Sequence, residues 1–243
     1  MGEVIHRVDI LREPGKMLCV SAPRTFAPDE WYHCYNRGID GRKTFENTGD
    51  YDRFVELLYL ANSDKDVRRS DLSFPHEEIF LKELGQPIVS IGAYALMPNH
   101  FHLLLRAVAE NGVSLFMGKL GNAYTKYFNL KRERIGNLFT KPFRAKHVGD
   151  DRYFRHVANY IHCNPAELFE YHWKEGVVKN LKVLEKKLVE YPYSSNRDHH
   201  NIMREERAVL DPDALSLLQS DTSSFSTLLR EAAEYYRDVN PTG

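Results

Sequence analysis

The chain has 243 residues, enough for one large domain or a compact domain with insertions and tails, and its 42% hydrophobic content supports a real core. A formal net charge of -1 excludes a globally basic nucleic-acid binder, so any polyanionic partner must be met by charge concentrated locally. Three cysteines, Cys19, Cys34 and Cys163, lack metal-finger spacing and fit a reducing, cytoplasmic compartment, and with no membrane-length apolar run and no secretory signal the chain is expected to be soluble.

Residues 1–27 mix charge and prolines without a sustained period and read as an N-terminal extension. The core is expected from residue 28. Trp31-Tyr32-His33-Cys34-Tyr35 has strand composition and runs into Asn36-Arg37-Gly38-Ile39-Asp40-Gly41, a turn. Tyr51, Phe54, Leu57, Leu58 and Leu60-Ala61 recur at helical spacing, with Asn47, Thr48 or Asp50 as the N-cap. Residues 63–86 are charged, irregular and broken by Pro75, which marks an insertion. Ile88 to Leu96 is a strand that Pro98-Asn99 turns into a second, His100-Phe101-His102-Leu103-Leu104-Leu105, giving an antiparallel pair.

Val113 to Leu130 places Leu115, Phe116, Leu120, Ala123, Tyr124, Tyr127 and Phe128 at amphipathic helical spacing. A strand follows from Pro142 to Val148, and Gly149-Asp150-Asp151 leads into a helix from about Arg152 to Cys163. Strand, helix, strand, strand, helix, strand, helix is the order of an α+β ferredoxin-like sandwich, with an antiparallel sheet and helices on one face. On this reading residues 28–200 form the domain and residues 201–243 a C-terminal helical extension.

Strand periodicity puts His100 and His102 on one face, where two imidazoles make half of a divalent metal site, although an isolated pair of this kind is more often structural. In the last core helix, at about 100° per residue, Tyr153, His156, Tyr160 and Asn164 form a stripe set off from the apolar face. Tyr160 and Asn164, four apart, can reach one point. Asn164 before Pro165 is equally an ordinary helix stop. Positive charge is concentrated in Lys119, Lys126, Lys131, Arg132, Arg134, Lys141, Arg144 and Lys146, opposed only by Glu133 and interleaved with aromatics, a pattern suited to phosphates and unpaired bases.

From Tyr32 to Ser195 the sequence resembles the single-tyrosine HUH transposases, and within them the REP-associated tyrosine transposases. The resemblance is carried by Tyr32-His33-Cys34-Tyr35-Asn36-Arg37-Gly38 with Phe45 after it, Met97-Pro98-Asn99-His100-Phe101-His102, Tyr127-Phe128-Asn129, Gly136-Asn137-Leu138-Phe139, Tyr160-Ile161-His162-Cys163-Asn164-Pro165 and Tyr193-Ser194-Ser195, in that order. It implies a transposase or endonuclease that cleaves and rejoins single-stranded DNA at hairpin-containing sites through a 5′-phosphotyrosine. Tyr160 would be the nucleophile, His100, His102 and Asn164 the ligands of Mg²⁺ or Mn²⁺, and Asn36 and Arg37 would join the basic segment in binding DNA. No nucleotide cofactor is expected, and the active unit is a monomer or a homodimer. The competing readings are a metal phosphodiesterase that uses water and a non-catalytic hairpin DNA- or RNA-binding regulator. The segment between the first helix and the second strand, the spacer from Tyr171 to Glu190 and the tail after His200 depart from the family pattern and bear on DNA specificity.

Overall fold

The computed structural model describes residues 25–108, 110–220 and 223–239, so the N-terminal extension lies almost wholly outside the described residues. Four strands, β1 (Trp31–Arg37), β2 (Val89–Met97), β3 (His100–Ala107) and β4 (Arg144–Val148), form one antiparallel sheet in the order β2-β3-β1-β4. Eight helices accompany it among the described residues: α1 (Thr48–Leu60), α2 (His76–Ile79), α3 (Gly112–Lys131), α4 (Asp151–Cys163), α5 (Leu181–Glu190), α6 (Asn196–His199), α7 (Pro212–Gln219) and α8 (Phe225–Val239). The α+β class and the sheet are as the element order predicts. None of these helices is long and apolar enough to cross a membrane.

The expected helical layer is α1 with α3, whose Phe54, Leu57, Phe116, Leu120 and Tyr124 join Tyr32, Cys34, Phe101, Leu103 and Leu105 of the sheet in one core. The other face is covered too, which departs from the expectation of helices on one face. There α4 lies on β2 and β3 and α8 packs along α4, enclosing Ala93, Ala95, Leu104, Val157, Ile161 and Ala232. The cause is visible in β2, which is buried at all nine positions: a strand apolar on both faces must be covered on both. Tail and core are therefore one packed body.

Local signals set the helix starts. Asn47 caps α1 by accepting from Asp50 N, and Asp150 caps α4 by accepting from Tyr153 N at 2.7 Å. The Pro98-Asn99 hairpin is held by the loop after β1, since Pro98 O accepts from Thr44 N at 2.8 Å and Asn99 O from Gly38 N at 2.8 Å. A Cβ on Gly38 would stand 2.3 Å from Arg42 O, so this loop closes only around glycine.

β2 is an edge strand, and the Tyr193-Ser194-Ser195 segment seals it: Leu96 N donates to Tyr193 O and Ser195 N to Tyr94 O. Arg204 ties this seal to the tail. Its guanidinium donates to Pro192 O at 2.7 Å, Ser194 O at 2.8 Å, the Tyr94 hydroxyl at 3.0 Å and, through Nε, the fully buried Asp198 at 3.0 Å. Arg204→Ala would leave the Asp198 carboxylate enclosed without its counter-charge, so a loss of about 3–5 kcal/mol is expected in urea unfolding. A loss below 1 kcal/mol would show that the edge segment holds without it.

Candidate active site

Alternation along β3 sends Phe101, Leu103 and Leu105 into the α1/α3 core and turns His100, His102 and Leu104 to the α4 face. On β1 the same alternation turns His33 and Tyr35 to that face, and Tyr35 stands opposite His102 in register. From above, α4 buries Phe154, Val157, Ala158 and Ile161 against the sheet. The stripe of Tyr153, His156 and Tyr160 meets α8 instead of solvent: the Tyr153 and Tyr160 rings lie 5.6 and 4.9 Å from that of Tyr235, and His156 Nε2 is 3.5 Å from Glu231. Tyr160 is consequently only 3% exposed, an enclosure that the α4 sequence alone does not reveal.

His100, His102, Tyr160 and Asn164 converge on one cavity of about 270 Å³. The Tyr160 ring lies edge-on to His102 at 5.4 Å, and the two histidine rings are 5.1 Å apart. Asn36, Arg37 and Arg144 also line it, as do Tyr35, Asn99, Thr140, Glu167, Lys174 and Tyr236. The second group was not singled out in sequence. Lys174, from the spacer, pairs with Glu167 at 2.6 Å, and Tyr236 comes from the tail. For Tyr35 a signal existed, because period two on β1 already aligns it with His33.

The polar contacts give each site histidine an orientation. His100 Nδ1 is 2.7 Å from Asn99 Oδ1, and only an N–H can bond an amide oxygen, so Nδ1 carries the hydrogen. Burial lowers the His100 pKa, opposed by Asn164, and keeps the ring neutral. Its bare Nε2 then faces Asn164 Oδ1 at 3.2 Å, two acceptors pointed at one place. That separation is close to the roughly 3 Å between neighbouring ligands of an octahedral ion with bonds of about 2.1 Å. His100 and Asn164 are thus spaced as two ligands of a divalent cation would be, with the His102 ring 5.1 Å from that of His100. Among the described residues no cluster of three or more His, Cys, Asp or Glu side chains could hold a metal ion.

His102 is held from behind, with Nδ1 2.9 Å from His33 Nε2. Burial, then the neighbouring His100 and His33, keeps its pKa well below the ordinary value. The Tyr160 phenol is pushed up by burial and by Tyr236 and Tyr35, while a hydrogen bond with Asn164 pulls the other way. As it stands, then, the phenol is protonated at neutral pH.

The basic segment divides in two. Its helical part lies on α3, across the sheet from the cavity, and much of its charge is engaged within the protein. Lys119 Nζ donates to Ser63 O at 2.7 Å and Lys65 O at 2.9 Å, pinning the insertion. Lys131 pairs with Asp50 at 2.6 Å, Arg132 with Glu46, and Arg134 donates to Asn137 O at 3.2 Å. Lys126 is exposed. The strand part is on the site side, with Arg144 lining the cavity and Lys146 lying 5.1 Å over the Tyr235 ring, while the exposed Lys141 lines a groove against α3 with Met117 and Gly121.

Residues 55–164 match the family described as "Transposase IS200 like", a stretch that runs from α1 to Asn164 and contains all four converging residues. A solved structure described as a REP-associated tyrosine transposase bound to a REP hairpin is similar at 14% identity, covering 76% of this chain and 87% of that one, with a TM-score of 0.46. No curated protein sequence matches.

Buried neutral imidazoles leave a signature in stability. Burial lowers the pKa of both His33 and His199 to about 3. Below the unfolded value of about 6.5 the unfolded chain takes up protons that the folded one refuses, so stability falls with pH by roughly 1.4 kcal/mol per unit for each such histidine. The denaturant midpoint should accordingly drop between pH 7 and pH 5. A midpoint that holds or rises over that range would contradict neutral burial.

Proposed function

With residues 55–164 matching the family of IS200-like transposases, we propose that the chain is a metal-dependent DNA strand transferase acting on hairpin-containing single-stranded DNA, with Tyr160 as nucleophile and a 5′-phosphotyrosine intermediate. The observation that carries this reading is the convergence of Tyr160, His100, His102 and Asn164 on one polar cavity rimmed by Arg37, Arg144 and Lys174. The set is complete within one chain, so the proposal needs no second copy.

In this reading the cationic rim receives the phosphates of the substrate, and Asn36, whose Oδ1 accepts from Thr140 Oγ1 at 2.7 Å, fixes the floor beside them. Tyr160 Oη attacks phosphorus, the bond from phosphorus to the 3′ oxygen breaks, and the phenol proton is lost as the departing oxygen gains one. The phosphodiester is conserved in the tyrosyl ester, so rejoining needs no nucleotide cofactor. A phenol held up by burial attacks poorly, and Asn164 is the neighbour that opposes this shift. A Mg²⁺ or Mn²⁺ ion on His100, His102 and Asn164 would polarise the scissile phosphate and ease loss of the phenol proton. The same raised phenol favours a second reading in which activated water is the nucleophile and Tyr160 only positions substrate.

Tyr160→Phe separates the two readings. With Mn²⁺ and end-labelled hairpin DNA, the variant is expected to form no covalent adduct and to lose cleavage to background, while its hairpin affinity is unchanged. Cleavage that persists in Tyr160→Phe assigns attack to water. Arg144→Ala is expected to weaken hairpin binding and lower the slope of log affinity against log salt by about 1. An unchanged slope would remove Arg144 from the phosphate path.

A further inference from the structure

Behind the cavity, two imidazoles and a phenol stand in line. His102 Nδ1 is 2.9 Å from His33 Nε2, and His33 Nδ1 is 2.9 Å from the Tyr235 hydroxyl. His33 is completely buried and Tyr235 is 3% exposed, and neither lines the cavity. Burial, with the nearby Lys146 ammonium, keeps His33 neutral, and burial with the adjacent imidazoles does the same for His102.

A neutral imidazole has one N–H and one lone pair, so a single hydrogen sits in each of these two contacts and the direction of one fixes the other. If Tyr235 donates to His33 Nδ1, then His33 must donate from Nε2 to His102 Nδ1, and His102 carries its own hydrogen on Nε2. If His33 donates from Nδ1 to the Tyr235 oxygen, then His33 Nε2 accepts from His102 Nδ1–H and His102 Nε2 keeps a bare lone pair. Only the second arrangement lets His102 coordinate an ion. The Tyr153 ring, 5.6 Å from that of Tyr235, stands on the side to which the Tyr235 hydroxyl hydrogen can turn. Asn99 holds His100 in the matching Nδ1–H form from its own side.

We infer that His33 and Tyr235 are positioning residues that lock His102 as its Nδ1–H tautomer and so present Nε2 to the metal ion, an inference that rests on the metal reading of the cavity. The helix that completes this relay is α8, in the tail that departs from the family pattern. His102 is thereby prepared by a residue 133 positions further along the chain.

The test uses the full-length protein and two readouts. In ¹⁵N-labelled protein without metal, imidazole shifts should report His102 as Nδ1–H. Tyr235→Phe keeps the ring against Tyr160 and Tyr153 but removes the oxygen that accepts from His33 Nδ1–H. It should shift His102 toward Nε2–H and weaken Mn²⁺ binding, measured by the electron paramagnetic resonance of the free ion, by tenfold or more. His102 found as Nε2–H in the unaltered chain overturns the inference. So does a Tyr235→Phe variant with unchanged Mn²⁺ affinity, or one that binds Mn²⁺ more weakly with the His102 tautomer unmoved, because that outcome leaves Tyr235 a packing role only. His100→Ala distinguishes the deeper failure: if it too binds Mn²⁺ as the parent does, the metal reading of the cavity has failed, whatever the tautomer of His102.

Discussion

Enclosing His33 without leaving either ring nitrogen unpaired is the constraint around which this face of the molecule is organised. A buried donor or acceptor with no partner costs about 1–3 kcal/mol, and His33 has two nitrogens and no access to water. β3 supplies His102 for one of them and α8 supplies Tyr235 for the other. Because the second partner comes from α8, that helix must lie close along α4, and in lying there it covers Tyr153, His156 and Tyr160. The burial of Tyr160, the shape of the cavity and the second core of the domain thus share one cause.

Much of this was legible from local pattern. Strand composition and turn signals placed all four strands, and of the three N-cap candidates for α1, Asn47, Thr48 and Asp50, it is Asn47 that caps. The face shared by His100 and His102 followed from alternation, and the stacking of Tyr160 with Asn164 from helical spacing. What stayed hidden has the opposite character: it depends on contacts between residues far apart in sequence. Nothing in Tyr235-Tyr236 marks them as neighbours of Tyr160, and Lys174 and Glu167 sit in a stretch without strong periodicity. The second helical face was also unforeseen, although β2 carried its trace in a run that never alternates.

Charge shows the same division. Counting lysines and arginines between residues 119 and 146 finds a basic segment, but a count cannot say which charges already have partners. Asp50 is wholly buried and gathers Lys131, with Arg132 at the edge of its reach, while Lys119 is held by two backbone carbonyls. These groups brace α3 against α1 and the insertion. Arg37 and Arg144 are fewer, and together with Lys174, which pairs with Glu167, they surround the cavity itself. A net charge of -1 is compatible with a locally cationic mouth because Glu167 is the one carboxylate that lines it, and the others lie elsewhere, some of them paired as Glu56 is with Arg69, Glu46 with Arg132 and Asp198 with Arg204.

The residues around the cavity span positions 35 to 236, and the partner of His33, at position 235, is made after all of them but Tyr236. A nascent chain can assemble the sheet and lay α4 across it, yet until α8 emerges His33 has an unanswered nitrogen and Tyr160 lies open. Emergence of α8 is therefore built into the site: a chain halted by a premature stop after α7 carries every cavity residue except Tyr236, but lacks the Tyr235 hydroxyl that completes the polar interior behind them.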